Sequence, residues 1–398
     1  MLKLFRLSAA VAAATIGAGM QAHAAADSIP DGFARPLHTG LGIDAGFSVL
    51  MPTNNYLDGN NIYQQRGGTV FTPGLRLELR FDPYSRQGML YHGLYQGVAI
   101  SADLNNRYNI LGRPVSAFVF QGAPIAHLAQ RLWLGYEWQF GAAFGWKHYN
   151  EVTMPDNVAL STSTTAHIGL NLTLNYRVAE STTLRLSMGG RHFSNGNTEW
   201  PNAGVNTLGV SLGIVYSLGG CQSEPQAPEQ LSREADRGRW SYDIVGYGAW
   251  RKCVIGTSNS QELVPGHFAV TGLQFSPLRH LNRWVAVGPS LDLQWDEGAN
   301  LDSNRVEGAY GDNMFFYRPS FGSQLSAGIS AHAELTMPIF SVNAGLGYDF
   351  IKPAGNKRFY QSLTLKAFVW RGIFLNVGYR LGEFKTPQNL MLGLGIRL

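Results

Sequence analysis

The chain has 398 residues, 15% charged and 12% aromatic, with 47 glycines, a net charge of +4 and a mean hydropathy of -0.09. So little charge argues against two or three soluble domains, and the mean hydropathy argues against a helical membrane protein. The weak positive charge forms no basic patch interleaved with aromatics, so no nucleic-acid partner is expected.

The first 24 residues read as a secretory signal. Lys3 and Arg6 precede an apolar stretch, and Ala22-His23-Ala24 fits a small-x-small cleavage site. The exported chain then begins near Ala25, and residues 25–36 read as an irregular lead-in. Strand candidates follow at 41–51, 70–81, 91–103, 115–127, 132–149 and 166–177. Polar loops at 52–68 and 150–163 interrupt them. In the sixth, Ile168, Leu170, Leu172 and Leu174 alternate with His167, Asn171, Thr173 and Asn175.

Two further strands complete about eight. Because strand side chains alternate between faces, Leu184, Leu186, Met188, His192 and Ser194 share one face. Thr183, Arg185, Ser187, Arg191 and Phe193 share the other. In the last strand Asn206, Leu208, Val210, Leu212 and Ile214 alternate with Thr207, Gly209, Ser211 and Gly213. A greasy outer face over a polar, arginine-bearing inner face is the pattern of a transmembrane antiparallel β-barrel. Inward Arg76, Glu78, Arg80 and Arg185 are expected to form a solvated network, and Trp138, Trp146, Trp284, Trp295 and Trp370 to mark interfacial girdles.

Residues 220–238, rich in Glu, Gln, Pro, Ser and Arg, read as a periplasmic linker. About eight more strands follow within 239–398. The expected all-β architecture is therefore two tandem eight-stranded barrels, at 37–219 and 239–398; a single sixteen-stranded barrel is the alternative. The halves look like a repeat. Gly190-Arg191-His192-Phe193-Ser194 aligns with Tyr379-Arg380-Leu381-Gly382-Glu383, so the second copy lacks the histidine and the serine. Cys221 and Cys253 fall at opposite ends of neighbouring strands, so two free thiols are expected. No metal or other cofactor is expected. The polar stretch 300–313 reads as a surface loop, with cation binding the weaker alternative.

His192 and Ser194 stand two apart on one outward face, with Asn206 on the adjacent strand at the same height. A serine needs a neighbouring base to become a nucleophile, and a third group can orient that base. Asn195 and the Gly196 N–H stand where an oxyanion could be held. The bland reading is that these are interfacial polar residues at a strand end. Asp156 and Glu199 are loop carboxylates with no evident route to the histidine.

Arg191-His192-Phe193-Ser194-Asn195-Gly196, followed by Pro201-Asn202 and Asn206, resembles the lipid A 3-O-deacylases, acyloxyacyl hydrolase-like barrel esterases of Gram-negative outer membranes. The resemblance covers residues 40–218. It implies hydrolysis of the ester-linked acyl chain at the 3-position of lipid A, the lipid anchor of lipopolysaccharide, at the lipid-facing extracellular rim. Ser194 is then the nucleophile, His192 the general base and Asn195 an oxyanion donor. The family pattern has an acid where this chain has Asn206. A porin or structural barrel is the rival class, and a phospholipase a third reading.

Overall fold

The computed structural model describes residues 38–218, 229–257, 260–306, 314–354, 356–384 and 386–398. The expected signal segment and Cys221 lie outside them. The chain divides into two compact units near residue 231.

The first unit contains β1 (His38–Leu50), β2 (Thr69–Arg80), β3 (Tyr95–Ala102), the short β4 (Leu104–Asn105), β5 (Gly112–Ala129), β6 (Leu132–Trp146), β7 (Thr164–Ala179), β8 (Thr182–Ser194) and β9 (Val205–Ser217). Eight of these pair antiparallel with their chain neighbours. β1 closes the ring by pairing with both β2 and β9, while β4 adds only a two-residue extension to β2. Closure leaves no unpaired edge, which a strand in hydrocarbon cannot tolerate. Leu170, Leu186, Met188, Leu208 and Leu212 are exposed on the outside, while Arg185, Asn175 and Glu137 are buried inside.

The interior is a packed ion network rather than the solvated one expected. Arg76 bonds Asp44 at 2.8 Å and both Glu137 oxygens at 3.0 Å; Arg185 bonds Glu78 at 3.0 Å and Asn175 at 2.8 Å. Eight strands leave an interior that side chains can fill. Buried guanidinium groups persist there because each meets carboxylates in bidentate or bridging geometry.

The connections after β1, β3, β6 and β8 gather at one end; at the other, β5–β6 and β7–β8 are joined by tight turns and β2–β3 by the longer stretch 81–94. The long connections carry a small apolar core of their own, containing Tyr56, Leu57, Ile110, Leu111, Trp146, Leu160, Phe193 and Val205. Trp146 therefore does not belong to a girdle. It packs edge-on against Phe193 at 5.0 Å and donates its indole N–H to Thr165.

In the second unit a short helix, Glu229–Ala235, stands in the stretch read as linker. The strands are β10 (Trp240–Arg251), β11 (Val254–Thr257), β12 (Ser260–Leu263), β13 (Phe268–His280), β14 (Val285–Asp296), β15 (Leu325–Thr336), β16 (Phe340–Ile351), β17 (Phe359–Trp370), β18 (Ile373–Gly382) and β19 (Thr386–Arg397). All but the β11–β12 hairpin form a second closed barrel, so the sixteen-stranded alternative falls. Its closure between β10 and β19 is tied by ion pairs. Arg397 bonds Asp243 at 2.7 Å and Glu334 at 2.6 Å, and Lys366 bonds the same two carboxylates. Cys253 is a free, buried thiol just after β10, and burial raises it to about 11.

Candidate active site

β8 and β9 pair so that His192 faces Asn206 directly and Phe193 faces Val205. Alternation does the rest. Phe193 and Val205 point in and are fully buried, so His192, Ser194 and Asn206 point out of the barrel, half-buried. The outward faces continue from the site into Met188, Leu208 and Val210, all exposed.

His192 Nδ1 lies 2.7 Å from Asn206 Oδ1, and Asn206 Nδ2 donates to Thr53 Oγ1 at 3.1 Å. In the assigned sense the amide nitrogen faces a hydroxyl and the oxygen faces the ring. With the amide in that sense Nδ1 carries the proton, and Nε2 is left with a lone pair. Gly204 has φ +78, and a Cβ there would come within 2.9 Å of His192 Cε1. The imidazole thus lies over bare backbone. Continuing the β8–β9 register places Gly204, which the ring overlies, opposite Ser194. Among the described residues the Ser194 hydroxyl forms no hydrogen bond, to His192 or any other group.

After Ser194 the chain turns sharply, with φ +65 at both Gly196 and Asn197. Asn195 builds this turn. Its Nδ2 donates to Ser161 Oγ at 2.8 Å and Glu199 O at 3.1 Å, its Oδ1 accepts from Asn197 N–H, and its own N–H donates to Asn202 Oδ1. Both side-chain amide hydrogens of Asn195 are committed. Gly196 is a buried residue, and its N–H makes no hydrogen bond among the described residues.

Asp156 does not reach the histidine; it accepts from Ile62 N–H at 2.5 Å. His167 joins the interior network through Gln139, which donates to Glu137 at 2.9 Å. It stacks on Phe118 at 4.5 Å and bonds Gln139 at 3.2 Å. No group of three or more His, Cys, Asp or Glu side chains suited to a metal occurs among the described residues. Two residues of the site escape sequence reasoning. Gly204 carries a weak signal, a glycine just before a strand. Thr53 carries none, being 153 residues from its partner.

Two family descriptions match the chain. Lipid A 3-O-deacylase (PagL) matches residues 73–215, and the acyloxyacyl hydrolase C-terminal domain matches residues 240–398. No curated protein sequence matches the chain. Among solved structures it is similar to Neisserial surface protein A (NspA), at 12% identity and a TM-score of 0.28, over 46% of this chain and 97% of that one. It is also similar to the CymD monoaromatic hydrocarbon channel, at 10% identity and a TM-score of 0.20, over 91% of this chain and 87% of that one. The Ralstonia pickettii toluene transporter TbuX gives 10% identity and a TM-score of 0.19 over the same shares. With the two family descriptions together spanning most of its length, on two closed barrels with greasy outer walls, the chain belongs to the lipid A 3-O-deacylase family of outer-membrane β-barrel proteins.

Proposed function

We propose that the first barrel removes the 3-O-linked acyl chain of lipid A by a serine-esterase mechanism at its lipid-facing surface, level with the outer leaflet. The observation that supports it best is the outward His192–Asn206 bond, on the same strand face as Ser194, which with Nδ1 protonated leaves the Nε2 lone pair free. In this reading Ser194 Oγ attacks the acyl carbonyl carbon while His192 Nε2 takes the hydroxyl proton. The proton then passes to the departing sugar oxygen. A water, deprotonated in turn by His192, releases the fatty acid and restores the serine. Asn206 orients the ring. The oxyanion is held by the Gly196 N–H, and Asn195 contributes by bracing the turn that presents it.

Asn206 is neutral, so it stabilises the imidazolium formed during attack less than a carboxylate would. A porin reading is disfavoured by the interior, where Arg76, Arg185, Glu78 and Glu137 fill the lumen and leave a cavity of about 90 Å³. The second barrel, 239–398, is read as non-catalytic at the corresponding place, with Leu381 and Glu383 where the first barrel has His192 and Ser194.

Mass spectrometry of lipid A from cells expressing the chain tests this. Loss of one ester-linked acyl chain is expected with the native sequence and not with Ser194→Ala. Unchanged lipid A with both would defeat the proposal, and cleavage of phospholipid instead would favour a phospholipase.

A further inference from the structure

The loop between β1 and β2 is bonded to the start of β9 at three points. Met51 N–H donates to Asn206 O at 2.9 Å, Asn54 Nδ2 donates to Gly204 O at 3.1 Å, and Asn206 Nδ2 donates to Thr53 Oγ1 at 3.1 Å. The loop is itself anchored. Tyr56 and Leu57 are buried in the end core with Phe193 and Val205, and Tyr56 O–H donates to Ile110 O at 2.9 Å. The Asn206 carboxamide is therefore held at both ends, by His192 Nδ1 on its oxygen and by Thr53 on its nitrogen.

That second bond has a specific use where asparagine stands in place of an acid. A carboxylate attracts the ring by charge and presents two equivalent oxygens, so turning it over changes nothing. A carboxamide has no charge, its terminal torsion is soft, and its two ends differ. If the amide swings toward the lipid headgroups, Nδ1–H loses its acceptor. If it turns Nδ2 to the ring, the ring must carry its proton on Nε2, where it can no longer take one from Ser194.

We infer that Thr53 is a positioning residue for the general base. It stabilises the in-plane Asn206 orientation that keeps the proton on Nδ1 of His192 and the lone pair on Nε2. This rests on the Ser194–His192–Asn206 reading above. A threonine hydroxyl can also donate, so Thr53 acts chiefly against the swung-out orientations. Its effect is that of one net hydrogen bond, about fivefold in the competent population.

The test uses the full-length protein in lipid-containing micelles, with lipid A as substrate. Thr53→Val is expected to lower kcat about fivefold with KM unchanged, to shift the His192 Nδ1–H proton resonance upfield, and to raise the fraction of ring protonated on Nε2 by nitrogen NMR. Thr53→Ser is expected to restore all three. In an Asn206→Asp background, where charge holds the ring, Thr53→Val is expected to change kcat less than about twofold. An unchanged His192 spectrum in Thr53→Val overturns the inference whatever happens to activity. Equal losses in both backgrounds also overturn it, because the loop would then act on substrate or fold. Full turnover by Ser194→Ala would sink the underlying site reading instead, with the NMR comparison still deciding whether Thr53 orients the amide.

Discussion

Each barrel holds a serine, a histidine and an asparagine in close company, and the better-bonded set is the one without access. In the second barrel Ser330 Oγ lies 2.8 Å from His332 Nε2, and His332 Nδ1 lies 2.6 Å from Asn343 Oδ1. The first barrel shows the His192–Asn206 bond alone. Yet Ser330, His332 and Asn343 point into the barrel and are buried. Ser330 also lies 2.5 Å from Asp292, which gathers Ser290, Gln274 and Tyr360 as well. A hydroxyl whose proton is held by a buried carboxylate is not poised to give it to an imidazole. The inner three are bonded to one another and to a buried carboxylate, whereas the outer set leaves the Ser194 hydroxyl unspent. On the proposed reading, an outward, unbonded hydroxyl separates the reactive site from a buried network of the same residue types.

The largest effect that can break this contrast is on turnover itself. Ser194→Ala is expected to reduce deacylation about a thousandfold or more, and Ser330→Ala to leave it unchanged, measured as product formed from lipid A. The reverse result would move the chemistry into the second barrel.

Next in size is stability. Lys366 bridges Asp243 and Glu334 in the buried interior of the second barrel. Lys366→Met leaves two carboxylates sharing Arg397 and is expected to destabilise that barrel by about 3 kcal/mol. Thermal unfolding should register the loss while deacylation by the first barrel is retained.

Gly204→Ala is a gentler probe of the outer site. It places a Cβ against His192 Cε1 at a φ that L-residues disfavour, and about a tenfold fall in kcat with the barrel intact is expected. Normal kcat would mean that the ring does not need the space above Gly204. The smallest effect runs the other way. Asn206→Asp supplies the missing charge and is expected to raise kcat roughly fivefold, discounted from the Coulomb limit for the half-exposed position. A fall would show that Asn206 does more than accept from Nδ1.

Much of the architecture was legible along the chain because strand alternation is local. The period-two pattern of β7, β8 and β9 announced both the barrel and the outward direction of residues 192, 194 and 206. The repeat register also holds at Arg191 and Arg380, which both point inward to carboxylates, Asp103 at 2.8 Å and Asp349 at 2.5 Å. What alternation could not show was how filled the inside is. An inward arginine reads the same whether it meets water or a glutamate from another strand, as Arg185 meets Glu78 over 107 residues. Trp146 illustrates the same limit, since an aromatic at a strand end reads as a girdle until loops are seen to fold over it.

Local pattern, set by the two-residue period of the strand and by the short reach of turn residues, was enough to determine the strands, their greasy faces and the His-x-Ser-Asn cluster. Tertiary structure alone decided that Asn195 braces a turn, that Gly204 makes room for the imidazole, and that Thr53 holds Asn206 from 153 residues away. The physical reason is that hydrogen-bond partners and free volume belong to three-dimensional neighbours. In a closed barrel the first strand meets the last, so such neighbours are set by closure rather than by proximity in the chain.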